Sequence, residues 1–163
     1  MIKEREYDVL ECDSRFYVGG IKCNMVKCRE LIIYGRIEVR GLAIIDKLVL
    51  VGNGYINLLA CNETLIITRG KPFIVDRLYC RKAYLIGAKH PIVLGFTKAS
   101  EIYTSNVLIE ELKTKTALFN KRTGIKKLLN CNELIFKDPH CWIEELLVKP
   151  SRVKYEYRII EKT

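Results

Sequence analysis

Short apolar runs, three to five residues long, recur along the chain between polar and turn-forming residues. "KCRELIIYG" (27–35), "YCRKAYLIG" (79–87) and "NCNELIF" (130–136) repeat one phrase. Aligning each run on its first apolar residue gives the anchors Leu31, Leu48, Leu65, Ala83, Ile102, Ala117, Leu134 and Leu146. Their spacings are 17, 17, 18, 19, 15, 17 and 12. A short fixed period of this kind is the mark of a solenoid. The column after the anchor holds Ile32, Val49, Ile66, Tyr84, Tyr103, Leu118, Ile135 and Leu147. Three residues before the anchor stand Cys28, Ile45, Asn62, Cys80, Ala99, Thr114, Cys131 and Ile143, mostly small or apolar.

The runs are rich in Ile, Val, Leu and Tyr, which favours strands. A two-helix repeat needs about 33 residues, so this period is too short for one. Gly and Pro punctuate the gaps, as in "GNG" (52–54), "RGKP" (69–72) and "KHP" (89–91). A second apolar stretch falls in each period, for example Ile37/Val39 and Phe73/Val75. These features predict an all-β, single-domain parallel β-solenoid, about seven or eight coils long, stacked at about 4.8 Å. A right-handed β-helix is the favoured form. A leucine-rich repeat fits less well, because its period is about 20 or more and its apolar residues are spaced rather than contiguous.

The solenoid is expected over 26–150. Residues 1–25 read as an N-terminal cap, a hairpin around Gly19–Gly20. Residues 151–163 read as a C-terminal strand or cap, alternating through Val153, Tyr155, Tyr157 and Ile159. Three successive columns are apolar, a pattern typical of strands covered on both faces. The outer column is therefore expected to mediate self-association through Ile32, Val49, Ile66, Tyr84, Tyr103, Leu118 and Ile135. The open ends of a solenoid also carry unpaired backbone groups that invite a further chain.

Composition adds charge. The net charge is +9, and it is uneven: 12 Lys/Arg against 10 Asp/Glu over residues 1–80, but 16 against 9 over 81–163. The densest stretch holds Lys113, Lys115, Lys121, Arg122, Lys126 and Lys127 without an acid. Such a patch suits nucleic acid, an acidic surface or an anionic membrane. Only Phe119 interrupts it, so base stacking is not indicated. No apolar run reaches the ~20 residues of a membrane span, and the charged start is not that of a signal peptide. Seven Cys without a secretory leader read as reduced thiols of a cytoplasmic protein. Cys28 and Cys80, three coils apart, are too distant to bond, whereas Cys61 could approach Cys80 in the next coil.

Candidate chemistry is sparse. Glycan-processing β-helices need carboxylates stacked in neighbouring coils. The column before the anchor reads Glu30, Lys47, Thr64, Lys82, Glu101, Thr116, Glu133 and Glu145, with only the last two acids adjacent. A hexapeptide acyltransferase needs a six-residue period with small-residue marks, which are missing, and His90 reads as a surface histidine in a turn. "DPHCW" (138–142) sets His140 beside Cys141, but neighbours on a strand point to opposite faces. Neither it nor "CNMVKC" (23–28) has the usual metal-ligand spacing. No phosphate-binding or dinucleotide fingerprint occurs. The expectation is a non-enzymatic protein without cofactor or metal that forms a homo-oligomer or polymer. A nucleic-acid or acidic-surface module is the alternative, and a glycan-processing β-helix the weaker one.

"ELIIYGRIEVRG…KLVLVGNGYI" (30–56) resembles the bactofilins, small cytoskeletal proteins built on a right-handed β-helix. The likeness is one of repeat rhythm over residues 28–150. It implies nucleotide-independent, end-to-end polymerisation and a scaffold role.

Overall fold

The computed structural model describes residues 4–157. The expected terminal segments therefore lie partly outside the described residues, at 1–3 and at 158–163, which include Ile159. The chain is extended almost throughout. Strand β1 runs from Glu4 to Ile86, followed by β2 (Ile92–Ser105), β3 (Val107–Asn120), β4 (Gly124–Asn130), β5 (Glu133–Phe136), β6 (Trp142–Leu146) and β7 (Arg152–Tyr155). Every strand pairing between them is parallel. This is a β-solenoid whose stacked coils lie about 17 residues apart in sequence. β3 is long enough to span two faces, so it pairs with β4 along its first part and with β5 along its second.

The core follows from alternation within each short strand. In one coil Leu31, Ile33, Ile37, Val39, Ala43 and Ile45 point inward and are at most 1% exposed. They form three inward pairs separated by two corners. Stacking such coils buries each pair against its counterparts above and below, at roughly 1.5–3 kcal/mol per large aliphatic side chain. The triple apolar run "LII" is thus inner, outer, inner. The strands do alternate, and it is the outward residue that happens to be apolar.

Register corrects three positions. Ala83, Ile102, Ala117, Leu134 and Val153 are successive rungs of one column. The last anchor is therefore Val153, and Leu146 belongs to the column of Leu78, Thr97, Leu112 and Leu128. Ile143 likewise stacks on Ile125, not on Cys131. The third correction is Leu65. The buried Thr64 donates its hydroxyl to the Leu48 carbonyl at 3.2 Å, so Thr64 occupies the rung next to Leu48. Ile66 is consequently in the core, 0% exposed, and Leu65 faces outward. A one-residue slip in a strand exchanges its faces.

The N-terminal hairpin is also corrected. Residues 4–25 continue the solenoid within β1, meeting the chain 16 residues on. Asp8 accepts from Asn24 at 2.7 Å, and Asp13 receives a two-pronged bond from Arg29 at 2.8 and 3.1 Å. Arg29 holds the Asp13 carboxyl below its ordinary range. At the other end β7 pairs with β5 as a final rung.

The small-residue column proves to be a cysteine ladder. Cys12 and Cys28, in adjacent coils with Cα atoms 4.6 Å apart, are disulfide-bonded. This overturns the expectation that every thiol is reduced. The physical reason is that an inter-coil step is close to the Cα separation a disulfide needs. Cys61, not Asn62, is the ladder's next cysteine, its sulfur 3.1 Å from that of Cys80. Cys23 and Cys131 are buried, and burial pushes both thiols up to about 11.

One inner rung is polar without a partner among the described residues. Thr97 sits between Leu78 and Leu112, 0% exposed, and its hydroxyl makes no hydrogen bond. By contrast Thr104 and Thr123, also buried, share a hydroxyl bond of 2.9 Å. Thr97→Val is expected to raise stability by about 1 kcal/mol, since it keeps the shape and removes an unpaired hydroxyl. For a chain of this size that is a rise of about 2–4 °C in midpoint on thermal unfolding. A fall would show that the hydroxyl is satisfied.

Candidate functional site

The outward residues of the first strand position in each coil stack into one stripe along the solenoid. It runs through Ile32, Val49, Leu65, Tyr84, Tyr103, Leu118 and Ile135, with the last four in continuous register. Six of the seven predicted stripe residues lie there. The seventh, Ile66, is replaced by Leu65 for the register reason above. Parallel stacking makes each rung shelter the next, so these residues are mostly half-buried. Tyr84 is 42% exposed. The Tyr84 and Tyr103 rings are 6.0 Å apart, and the Lys82 ammonium lies 5.6 Å from the centre of the Tyr84 ring. Lys82, Tyr84, Tyr103, Leu118 and Ile135 line a shallow groove of about 220 Å³.

The column beside the stripe alternates in sign except at the neutral Thr116: Glu30, Lys47, Glu63, Lys82, Glu101, Thr116, Glu133, Arg152. Lys82 meets Glu101 at 3.6 Å, and Lys154 on the last rung meets Glu133 at 3.7 Å. Exposed pairs contribute little each. Their alternation avoids the repulsion that like charges on adjacent rungs would cause.

The most exposed apolar side chains are at the two ends. Fifteen large apolar residues are exposed among the described residues, and nine of them lie in the terminal coils. The first coil carries Val9, Phe16 and Val18, the last two 64% and 70% exposed. The final segment carries Trp142, Leu146, Leu147, Val148, Val153 and Tyr155, with Tyr155 at 65%. Tyr155 is stacked on Phe136 at 5.4 Å, which leaves its other face outward. A side chain in mid-solenoid is covered by coils on both sides, whereas one in a terminal coil is covered on one side only. Sequence periodicity marks the column but not its last rung, so the exposure of these residues is not legible in it.

The basic stretch does not form one patch. Lys113 and Lys115 join Lys98, Tyr79 and Asn132 around a groove of about 470 Å³. Lys121 and Arg122 sit at a corner with Lys89, Asp138 and His140. Lys126 bonds Glu110 at 3.3 Å, and Lys127 stacks on Glu111. Residues close in sequence point away from one another because the chain turns a corner between them. Lys121 and Arg122 make that turn with positive φ of 37° and 55°.

His140 turns away from Cys141. Its Nδ1 is 2.9 Å from the Asp138 carboxylate, which also accepts the His140 backbone N–H at 2.8 Å. That backbone bond is the main reason the Asp138 carboxyl stays below its ordinary range. Burial pushes the Cys141 thiol up, making it a poor nucleophile. Among the described residues no three His, Cys, Asp or Glu side chains converge as a metal site. No helix of the described residues is long and apolar enough to cross a membrane. No protein-family model, curated protein or solved structure matches this chain.

Proposed function

We propose that this protein is a non-enzymatic scaffold that assembles end to end through its terminal coils. The observation that carries this reading is the concentration of exposed apolar residues in the first and last coils. A parallel solenoid ends in an unpaired strand edge on each side, and an apolar, uncovered edge is a template for another chain. An interface that joins unlike ends repeats without closing, which yields filaments rather than fixed oligomers. The bactofilin-like rhythm of residues 30–56 supports the same scaffold role. The apolar stripe is a lateral surface, more sheltered than the ends because its rungs cover one another. Dispersal of the basic residues onto three surfaces weakens the nucleic-acid reading.

Light scattering across a range of protein concentrations tests this. Large, concentration-dependent assemblies are expected from the natural chain. Val18→Glu and Leu147→Glu, one at each end, should each shift the population toward monomer by about tenfold or more in the concentration required, since a charge placed in an apolar contact costs upward of ~1.4 kcal/mol. Tyr84→Glu on the stripe should leave assembly in place. A strictly monomeric natural chain, or assembly sensitive to Tyr84→Glu alone, overturns the end-to-end reading.

A further inference from the structure

We propose that Cys61 and Cys80 are a thiol–disulfide exchange site that closes a second inter-coil disulfide when it meets a small anionic disulfide. The two residues lie in adjacent coils of the cysteine ladder, both half-buried, with sulfurs 3.1 Å apart. Their coils are locked in register beside them, because Arg81 donates to the Asn62 side chain at 2.8 Å and pairs with Glu63. The bonded pair Cys12–Cys28 occupies the same ladder, also across one inter-coil step. That step therefore accepts a disulfide in this fold, and forming the second needs about 1 Å of sulfur movement to reach a normal bond.

The two thiols have different roles. The Cys61 thiol donates its proton toward the Cys80 sulfur. That bond is the main factor lowering the Cys80 pKa, and the Lys82 backbone and the Arg81 charge add to it. The same bond, with burial, pushes Cys61 up. Cys80 is the nucleophile and Cys61 the resolving thiol. Cys80 also lines the groove that carries Lys98, Lys113 and Lys115, while Cys61 lines a separate depression with Cys12, Cys28 and Arg29. The three lysines beside the nucleophile favour an anionic disulfide over a cationic one.

The step balances without a further reagent. The Cys80 thiolate attacks one sulfur of the small disulfide R–S–S–R, forming Cys80–S–S–R and releasing RS⁻. Cys61 then gives up its proton to solvent and attacks the Cys80 sulfur, expelling the second RS⁻. Two protein thiols are oxidised to one disulfide, and one small disulfide is reduced to two thiols.

The test uses the full chain, reduced and freed of reductant, then treated with 5,5′-dithiobis(2-nitrobenzoate), an anionic disulfide. Peptide mapping under non-reducing conditions is expected to find Cys61 linked to Cys80 with no adduct on either. Cys61→Ser should instead hold a stable mixed disulfide on Cys80. Cys80→Ser should leave Cys61 slower to react by about tenfold or more than Cys80 in the natural chain, because the burial that raises the Cys61 thiol remains when its partner is gone. Neutralising the groove with Lys98→Gln and Lys113→Gln should slow the anionic probe about threefold or more, leaving cationic cystamine unaffected. A persistent adduct on Cys80 in the natural chain overturns the proposal, and so does equal reactivity of Cys61 in Cys80→Ser. The natural-chain map decides the matter even if a variant fails to fold. Because assembly plays no part in this readout, it stands or falls apart from the scaffold role.

Discussion

Gly54→Ala is expected to destabilise the protein by about 4 kcal/mol or more, in the range reserved for backbone strain and steric conflict with main chain. Gly54 has φ of +134°, a conformation that suits glycine, and an added Cβ would lie 1.8 Å from the Ile37 carbonyl oxygen. That oxygen belongs to the backbone of the neighbouring coil. It can move only if the coil moves, and the coil is held along its length by its neighbours. On thermal unfolding the midpoint should drop by about 8–16 °C. Gly70→Ala is the control. Gly70 also has positive φ, +80°, but its added Cβ would meet only the Asn53 side chain, at 3.7 Å. Conformational strain alone should cost it about 1–2 kcal/mol. If Gly54→Ala unfolds within about 1 kcal/mol of the natural chain, the tight contact between these coils is not present in solution.

Ile66→Asp and Leu65→Asp should differ sharply although the residues are adjacent. Ile66 is 0% exposed in the core, where an unpaired carboxylate costs about 4 kcal/mol or more. Leu65 is half-buried on the outer stripe, where the carboxylate keeps water on one side, and a loss of about 1 kcal/mol is expected. The Ile66→Asp defect should depend on pH in a particular direction. Burial raises the folded-state pKa of the introduced acid above its unfolded value of about 4. The penalty is therefore smallest below pH ~4 and grows as pH rises toward the folded value. Urea unfolding at several pH values measures both the difference and its sign. Equal losses at the two positions would mean that Ile66 does not face the core.

These two substitutions mark the limit of the sequence reading. The period of about 17, the strand character and the parallel stacking are legible because buried columns demand apolar residues in every coil. That demand alone brings Leu31, Leu48, Ala83, Ile102, Ala117 and Leu134 into one column. Thr64 broke it. A polar residue in the inner column made the next apolar residue, Leu65, look like the anchor, and the face assignment slipped by one. The same slip placed Asn62 in the cysteine column in place of Cys61. Thr64 is accommodated because its hydroxyl reaches the Leu48 carbonyl, a bond that no composition rule announces.

The outer stripe was readable as apolar, and its membership was nearly right. Its exposure relative to the ends was not, because exposure depends on whether another coil lies above. Phe16 and Val18 occupy ordinary column positions and differ from Ile32 and Tyr34 only in lacking a coil on one side. The basic stretch shows the converse. Lys113 and Lys121 are close in sequence, yet the corner between them sends them to different grooves. Lys98, fifteen residues from Lys113, becomes the true neighbour through β2–β3 register.

By itself the amino-acid sequence determined the repeat, the all-β solenoid and the apolar character of the columns, since these rest on burial requirements that recur within each coil. Only the tertiary structure decided which coil positions oppose one another. Coil lengths vary between 15 and 19 residues from Ala83 to Val153 as corners gain or lose residues, so sequence spacing alone cannot fix the pairing. Once that register is set, the partners of Cys12 and Cys61, the inward place of Ile66 and the bare terminal coils follow from contacts between segments that are 16 to 19 residues apart in sequence but adjacent in space.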